Sequence, residues 1–250
     1  MKAGHSYALN PLLLSDEEAR ELAKQIPRQK ELIYNTDKDI AILDACQPQR
    51  LYRFSRLEGI TKKFQLVLSE GTNTHEWFRR TFTEPIDCIY ISANPYISSK
   101  GMHKKSVKGM RIIDAWEFLW NEEHKTVLPW TLYSYYRAIR PLTKKRIFIH
   151  FIQPHFPPID AKYDLWEDAR RENLGLKKQG KKYPTMQEAA QILGREAIIK
   201  MHEKNLIAAL SCLQNFDGII TSDHGEFLGE RNQYSHINKD FRLRFVGWLE

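Results

Sequence analysis

Cysteine is scarce in this 250-residue chain: Cys46, Cys88 and Cys212 are far apart, odd in number and lack any Cys-x-x-Cys spacing. That argues against a disulfide framework or a thiolate zinc site and suits a reducing compartment. No run approaches the roughly 20 consecutive apolar residues that span a bilayer. Near the amino terminus a single lysine precedes Ala8-Leu-Asn-Pro-Leu-Leu-Leu14, where proline interrupts a stretch too short for a secretory core. These absences predict a soluble, cytoplasmic chain with no integral membrane segment. Internal repeats and low-complexity tracts are missing too.

Hydrophobic residues at 42% and charged residues at 28% place the chain among ordinary globular proteins, excluding disordered and fibrous classes. Its length suits one large domain with a single core. The 38 Lys+Arg against 31 Asp+Glu give a formal charge of +7, which favours anionic partners. Much of the excess lies in short runs: Lys104-Lys105 with Lys108 and Arg111, Lys144-Lys145-Arg146, and Lys177-Lys178 with Lys181-Lys182. Such runs read first as solvated faces, and second as contacts for a phosphorylated substrate, nucleic acid or an anionic surface.

Ser15 followed by Asp-Glu-Glu predicts a capped helix to about Gln25, within an N-terminal helical appendage over 1–38. The segments Asp39–Asp44, Phe64–Ser69, Cys88–Ser92, Arg146–Ile152 and Asp217–His224 are short runs expected of buried strands, with a last one near Phe241–Trp248. Helices are expected after Gly71, around Asp114–Trp120 and Trp130–Arg140, and over Gln187–Leu213 with a break near Gly194. Residues about 160–184 are polar and basic, an insertion or mobile loop. Strands alternating with helices predict an α/β domain over 39–250, a mostly parallel sheet with helices on both faces. Ligands of such sheets gather beyond the carboxyl ends of the strands.

The chemically suggestive residues fall at those ends. Asp223-His224 follows Gly218-Ile-Ile, and carboxylate oxygen with imidazole nitrogen suits a divalent ion such as Zn²⁺ or Mn²⁺. Judged alone, Asp-His in a loop is more often a hydrogen-bonded turn. Asp44, at the end of the first core strand, offers a second carboxylate. Glu226 could orient a ligand from behind, and His236 is a further candidate ligand or substrate contact. Thr72 and Thr74 sit where a helix start presents free amides to an oxyanion, and a cation-touched hydroxyl there becomes a nucleophile. One of them could instead only cap the helix. His155, held between prolines, is as a lone histidine more often structural, yet after a strand it could donate to a substrate oxygen or protonate a leaving group. His150 lies inside an apolar strand and reads as core, and Cys46 as packing.

Four ordered segments carry a resemblance: Ile40-Ala-Ile-Leu-Asp-Ala-Cys46, Gly71-Thr-Asn-Thr-His-Glu-Trp77, Ile149-His-Phe-Ile-Gln-Pro-His-Phe-Pro157 and Ile219-Ile-Thr-Ser-Asp-His-Gly-Glu226. Tyr234-Ser-His236 followed by Phe245-Val-Gly-Trp-Leu249 is a weaker fifth. Together they resemble the alkaline phosphatase/sulfatase superfamily, particularly its sulfatase-like members. The resemblance implies a three-layer sandwich and a divalent metal ion (Zn, Mn, Mg or Ca). It implies Asp44, Asp223, His224 and His236 as metal ligands, Thr74 in preference to Thr72 as nucleophile, and His155 as a substrate contact. No Cys-x-Pro-Ser-Arg element is present, which points to phosphoryl rather than sulfuryl transfer. After Cys46 the chain continues with Gln47-Pro-Gln-Arg50, a departure from the basic-aromatic-acidic turn common in related chains.

The leading expectation is therefore a metal-dependent hydrolase or phosphotransferase acting on an anionic ester. The alternative is a non-catalytic basic module on the same fold, binding nucleic acid or an anionic polysaccharide. Neither the substrate nor an oligomeric state is legible in these residues.

Overall fold

A computed structural model describes residues 10–161 and 164–250; the start of the expected appendage and two residues of the expected insertion lie outside them. The first half carries α1 (Asp16–Gln25), α2 (Gln29–Tyr34), β1 (Ile40–Asp44), α3 (Pro48–Leu57), β2 (Phe64–Leu68), α4 (Thr74–Thr81), β3 (Cys88–Ser92), β4 (Met110–Asp114), α5 (Ala115–Phe118), β5 (Trp120–Asn121) and β6 (Thr126–Val127). The second carries α6 (Pro129–Ile139), β7 (Arg146–Pro154), α7 (Glu167–Asn173), α8 (Met186–Leu193), α9 (Arg195–Cys212), β8 (Ile219–Ser222), β9 (Phe227–Leu228), β10 (Tyr234–Ser235) and β11 (Phe245–Leu249). The order of the main sheet is β2-β11-β8-β1-β7-β3-β4. Only β11 runs antiparallel to its neighbours β2 and β8; the other pairs are parallel.

Period-two alternation sorts the side chains of the buried strands onto two faces. From β1, Ala41 and Leu43 join one cluster with Leu51 of α3, Leu132 of α6 and Leu206 and Leu210 of α9. Ile40 and Ile42 join the other with Ile33 of α2 and Trp77 and Phe78 of α4. Helices therefore cover both faces, as the continuous apolar runs of β1, β3 and β7 require. Burying a side chain as large as Trp77 or Phe148, both fully enclosed, contributes about 1.5–3 kcal/mol apiece.

Several local expectations hold in detail. Ser15 caps α1 in a full capping box with Glu18, and Gly194 separates α8 from α9. Gly71 lets the end of β2 turn directly onto α4, because a Cβ there would lie 2.2 Å from the Trp77 amide nitrogen. Other elements differ from expectation. The helix α3 begins at Pro48, whose missing N–H costs nothing at a first helical position. Strand β4 lies at the sheet edge, where partial exposure weakens the apolar signal. The 160–184 segment contains α7, and two of its lysines are paired with that helix: Lys178 with Glu172 at 2.7 Å and Lys181 with Glu167 at 3.5 Å. No helix among the described residues is long and apolar enough to cross a membrane.

Candidate metal centre

Asp44 ends β1 at the middle of the sheet, flanked by β8 on one side and β7 on the other. The register between β1 and β7 shifts after Leu43, so Asp44 faces Pro154. Ala45 follows with φ +60°, a left-handed conformation that costs a non-glycine residue on the order of 1–3 kcal/mol. It is held from both sides: its N–H donates to Asp223 Oδ1 at 3.1 Å, and its carbonyl receives His202 Nε2 at 3.0 Å.

The loop after β8 brings Asp223 and His224 beside Asp44, and all three are fully buried. Their ligand atoms lie within 4.8 Å of one another. His224 Nδ1 is 2.8 Å from the Gly225 carbonyl and donates to it, which leaves Nε2 aimed at Asp44 Oδ1 (3.5 Å) and Asp223 Oδ2 (3.4 Å). Asp44 Oδ2 in turn accepts from Asn94 Nδ2 at 2.7 Å. Burial alone would lower the His224 pKa, but Asp223 and Asp44 lift it to about 9. Burial likewise works against the charge on Asp44, yet His155 and His224 hold its carboxyl well below the usual range. Two buried carboxylates converging on one imidazole nitrogen need a compensating cation. The hard oxygen and borderline nitrogen donors fit Zn²⁺ or Mn²⁺. These three residues could hold a divalent ion.

Thr74 opens α4 against this cluster. Its hydroxyl donates to Asp223 Oδ2 at 2.8 Å and lies 3.4 Å from both Asp44 Oδ1 and His224 Nε2. The cap of α4 is Asn73, which accepts from the Glu76 amide at 2.9 Å. The Thr72 hydroxyl is turned to Glu76 Oε2 at 3.0 Å. Of the two threonines, Thr74 faces the cluster.

A second group adjoins the first. His155, Glu226 and His236 also offer ligand atoms within 4.8 Å of one another. Glu226 is fully buried, one carboxyl oxygen lying 3.0 Å from His236 Nδ1 and the other without a partner. The His236 ring lies 4.4 Å from that of His224 and 5.2 Å from that of His155, centroid to centroid. Candidate residues that the sequence presented as one set thus form two neighbouring groups, with His236 in the one built around Glu226. Burial pushes the Glu226 carboxyl up to about 8 and the His236 imidazole down to about 3, so at neutral pH the carboxyl is protonated and the imidazole neutral.

These shifts carry a stability signature in the metal-free protein. Between its ordinary value of 4.5 and about 8, Glu226 keeps a proton that the unfolded chain releases. His224 does the same between 6.5 and about 9. Each therefore contributes stability that is lost as pH rises through its window. The opposite effect of His236 acts below 6.5. Urea denaturation of the metal-free protein is expected to show stability falling from pH 6.5 to 9, more gently in Glu226→Gln. A flat profile would contradict the assignment.

Sequence reasoning missed Asn94, whose partner Asp44 is fifty positions away, and the polar surroundings of His150, read as core. His150 is indeed fully buried, but it contacts Tyr90 and faces Asp223.

No protein-family model matches this chain, and no curated protein does. Among solved structures, the integral membrane protein lipooligosaccharide phosphoethanolamine transferase A (EptA) from Neisseria meningitidis matches with a TM-score of 0.51 at 12% identity, over 94% of this chain and 53% of that one. The two share a fold. The chain spans about half the length of that transferase. The soluble domain of the same transferase matches with a TM-score of 0.48 at 13% identity, over 86% of this chain and 77% of that domain. The C-terminal periplasmic domain of phosphoethanolamine transferase EptC from Campylobacter jejuni matches at 0.47 and 14%, over 86% and 79%. The mixed, mainly parallel sheet between helices is thus the alkaline phosphatase-like sandwich that the resemblance implied. The expectation of a cytoplasmic chain is corrected by the match to EptA, which shares this fold and is an integral membrane protein.

Proposed function

We propose that this chain is a metal-dependent phosphoryl-transfer enzyme in which Thr74 is the nucleophile. One observation carries the reading: the Thr74 hydroxyl lies 2.8 Å from Asp223 and 3.4 Å from Asp44 and His224. Asp44, Asp223 and His224 would hold the cation. Bound there, a divalent ion supplies charge neutralisation for a phosphoryl oxygen and favours the alkoxide form of the hydroxyl.

The chain's own groups would do the rest. With a cation held there, the Thr74 hydroxyl would lose its proton to solvent, and Oγ1 would form the new bond to phosphorus as the ester P–O bond breaks. The departing oxygen takes a proton from the side of the second group, where His155 faces the site and Glu226 with His236 stores a proton. Water or a second alcohol then releases the phosphoryl group from Thr74. A cavity of about 380 Å³ opens beside His155, lined by Phe156, Leu165, Met186, Tyr234 and Ile237 among others, with no Lys, Arg, Asp or Glu among the described residues of its wall. It suits an uncharged leaving group.

Residues 39–250 would carry this chemistry, with about 160–184 as an insertion, while α2, from the segment expected as an appendage, packs into the core through Ile33. The alternative basic-module reading keeps one support, the net charge of +7; several basic side chains are engaged within the chain, as Lys145 is by Asp87 at 2.6 Å. The deciding assay is turnover of phosphomonoesters, phosphodiesters, sulfate esters and a phosphoethanolamine donor with added Zn²⁺ or Mn²⁺. Wild type should turn over at least one phosphate ester and a D223A/H224A double variant none. Equal rates for the two proteins would remove the enzyme reading.

A further inference from the structure

His150 stands in the middle of β7, opposite Ile42 of β1 and Ser92 of β3, and is fully enclosed. A polar side chain at that depth demands partners. One nitrogen has one: His150 Nδ1 lies 2.7 Å from the Tyr90 hydroxyl. The other, Nε2, has none, and it faces Asp223 Oδ2 at 3.7 Å, just outside hydrogen-bonding range.

The tautomer follows from counting donors. A neutral imidazole has one N–H. Were it on Nδ1, the phenol hydrogen would have no acceptor among the described residues, and the Nε2 lone pair would confront a carboxylate. With Tyr90 donating to Nδ1, both conflicts vanish and Nε2–H points at Asp223. The oxygen it meets is the one that accepts from Thr74. Asp223 Oδ1 is already fixed by the amides of Ala45 and His224, at 3.1 and 2.8 Å.

We propose that Tyr90 and His150 form a buried relay that positions Asp223 for the cation, with the Tyr90 hydroxyl setting the tautomer and His150 Nε2–H steadying Oδ2. This rests on the reading of Asp44, Asp223 and His224 as a metal site. At 3.7 Å the Nε2–H acts on Oδ2 electrostatically, across a gap slightly longer than a hydrogen bond. The relay has a second use: when the Thr74 proton leaves, Oδ2 keeps a donor behind it. His150 and Tyr90 are positioning residues that touch neither cation nor ester.

The test is the Zn²⁺ dissociation constant, measured by competition with a chromophoric chelator on wild type and three variants whose fold is verified by circular dichroism. His150→Leu removes the donor and should weaken binding about 10–100-fold, the range typical of partners behind a metal ligand. His150→Gln can place an N–H near the position of Nε2 and should recover most of that loss. Tyr90→Phe removes only the hydroxyl, frees the tautomer and should fall between wild type and His150→Leu; it keeps the test alive if His150→Leu does not fold. Wild-type affinity in Tyr90→Phe and in any folded His150→Leu would overturn the relay, as would His150→Gln binding as weakly as His150→Leu. Failure of wild type itself to bind Zn²⁺ would overturn the metal reading and the relay with it.

Discussion

Thr74→Val is expected to lower kcat by about 10³-fold or more while leaving the chain folded. Valine matches threonine in shape, so the packing of α4 on the sheet survives. What disappears is the hydroxyl that donates to Asp223 Oδ2 at 2.8 Å, a bond to a charged group worth about 1.5–3 kcal/mol. A domain with about 5–15 kcal/mol of stability tolerates that loss. Thr74→Ser restores the nucleophile and gives up one methyl group, and should retain activity within about tenfold of wild type. Thr72→Val is the control: it removes the contact to Glu76 at 3.0 Å, a hydrogen bond worth about 1 kcal/mol, and should leave kcat nearly unchanged. Steady-state kinetics decides among these, with mass spectrometry of quenched turnover locating the phosphorylated residue. Loss of activity in Thr72→Val with Thr74→Val active would exchange the two roles. Full activity in both would mean direct attack by water.

The ambiguity between these threonines shows what the sequence could and could not convey. Both stand at a helix start after a strand, and local pattern alone treats them alike. Their difference lies in three dimensions, where Asn73 takes the cap and turns Thr74 toward residues 30 and 149 positions away. By contrast, Asp44 was legible because an unbroken apolar run ending in an acid has few structural explanations. The same logic located Asp223-His224 and fixed the sheet as mostly parallel. It failed for β4, whose edge position dilutes its apolar pattern, and for α3, whose start at Pro48 reads equally well as a turn. It failed differently for His150. A histidine within an apolar strand is correctly placed in the interior, but nothing local reveals that Tyr90 and Asp223 occupy either side of it. Asn94 is a similar case, its function at the site depending wholly on a partner in another strand. Cellular location was misread for another reason: scarce cysteine and no spanning helix exclude certain structures, and neither observation assigns a compartment.

Asp223→Asn is expected to abolish the stabilisation that a divalent ion gives the wild-type protein. The amide keeps the shape of the carboxylate, and its oxygen can still accept from the Ala45 and His224 amides. Its nitrogen then occupies the place of Oδ2, replacing a ligand lone pair with N–H and removing one of two buried negative charges. The carboxylate also helps to keep His224 protonated in the metal-free protein, so the variant is expected to be less stable without metal, and each protein is referred to its own metal-free melting temperature. At a free-ion concentration one hundred times its dissociation constant, wild type gains about 2.7 kcal/mol, on the order of 5–10 °C in melting temperature for a domain of this size. The variant should gain almost nothing at the same concentration, with affinity reduced by more than the roughly 10–100-fold that loss of an outer partner produces. Differential scanning fluorimetry over a Zn²⁺ titration reads both proteins on one scale. If the two melting temperatures rise in parallel, the ion binds elsewhere, and His155, Glu226 and His236 become the group to mutate next.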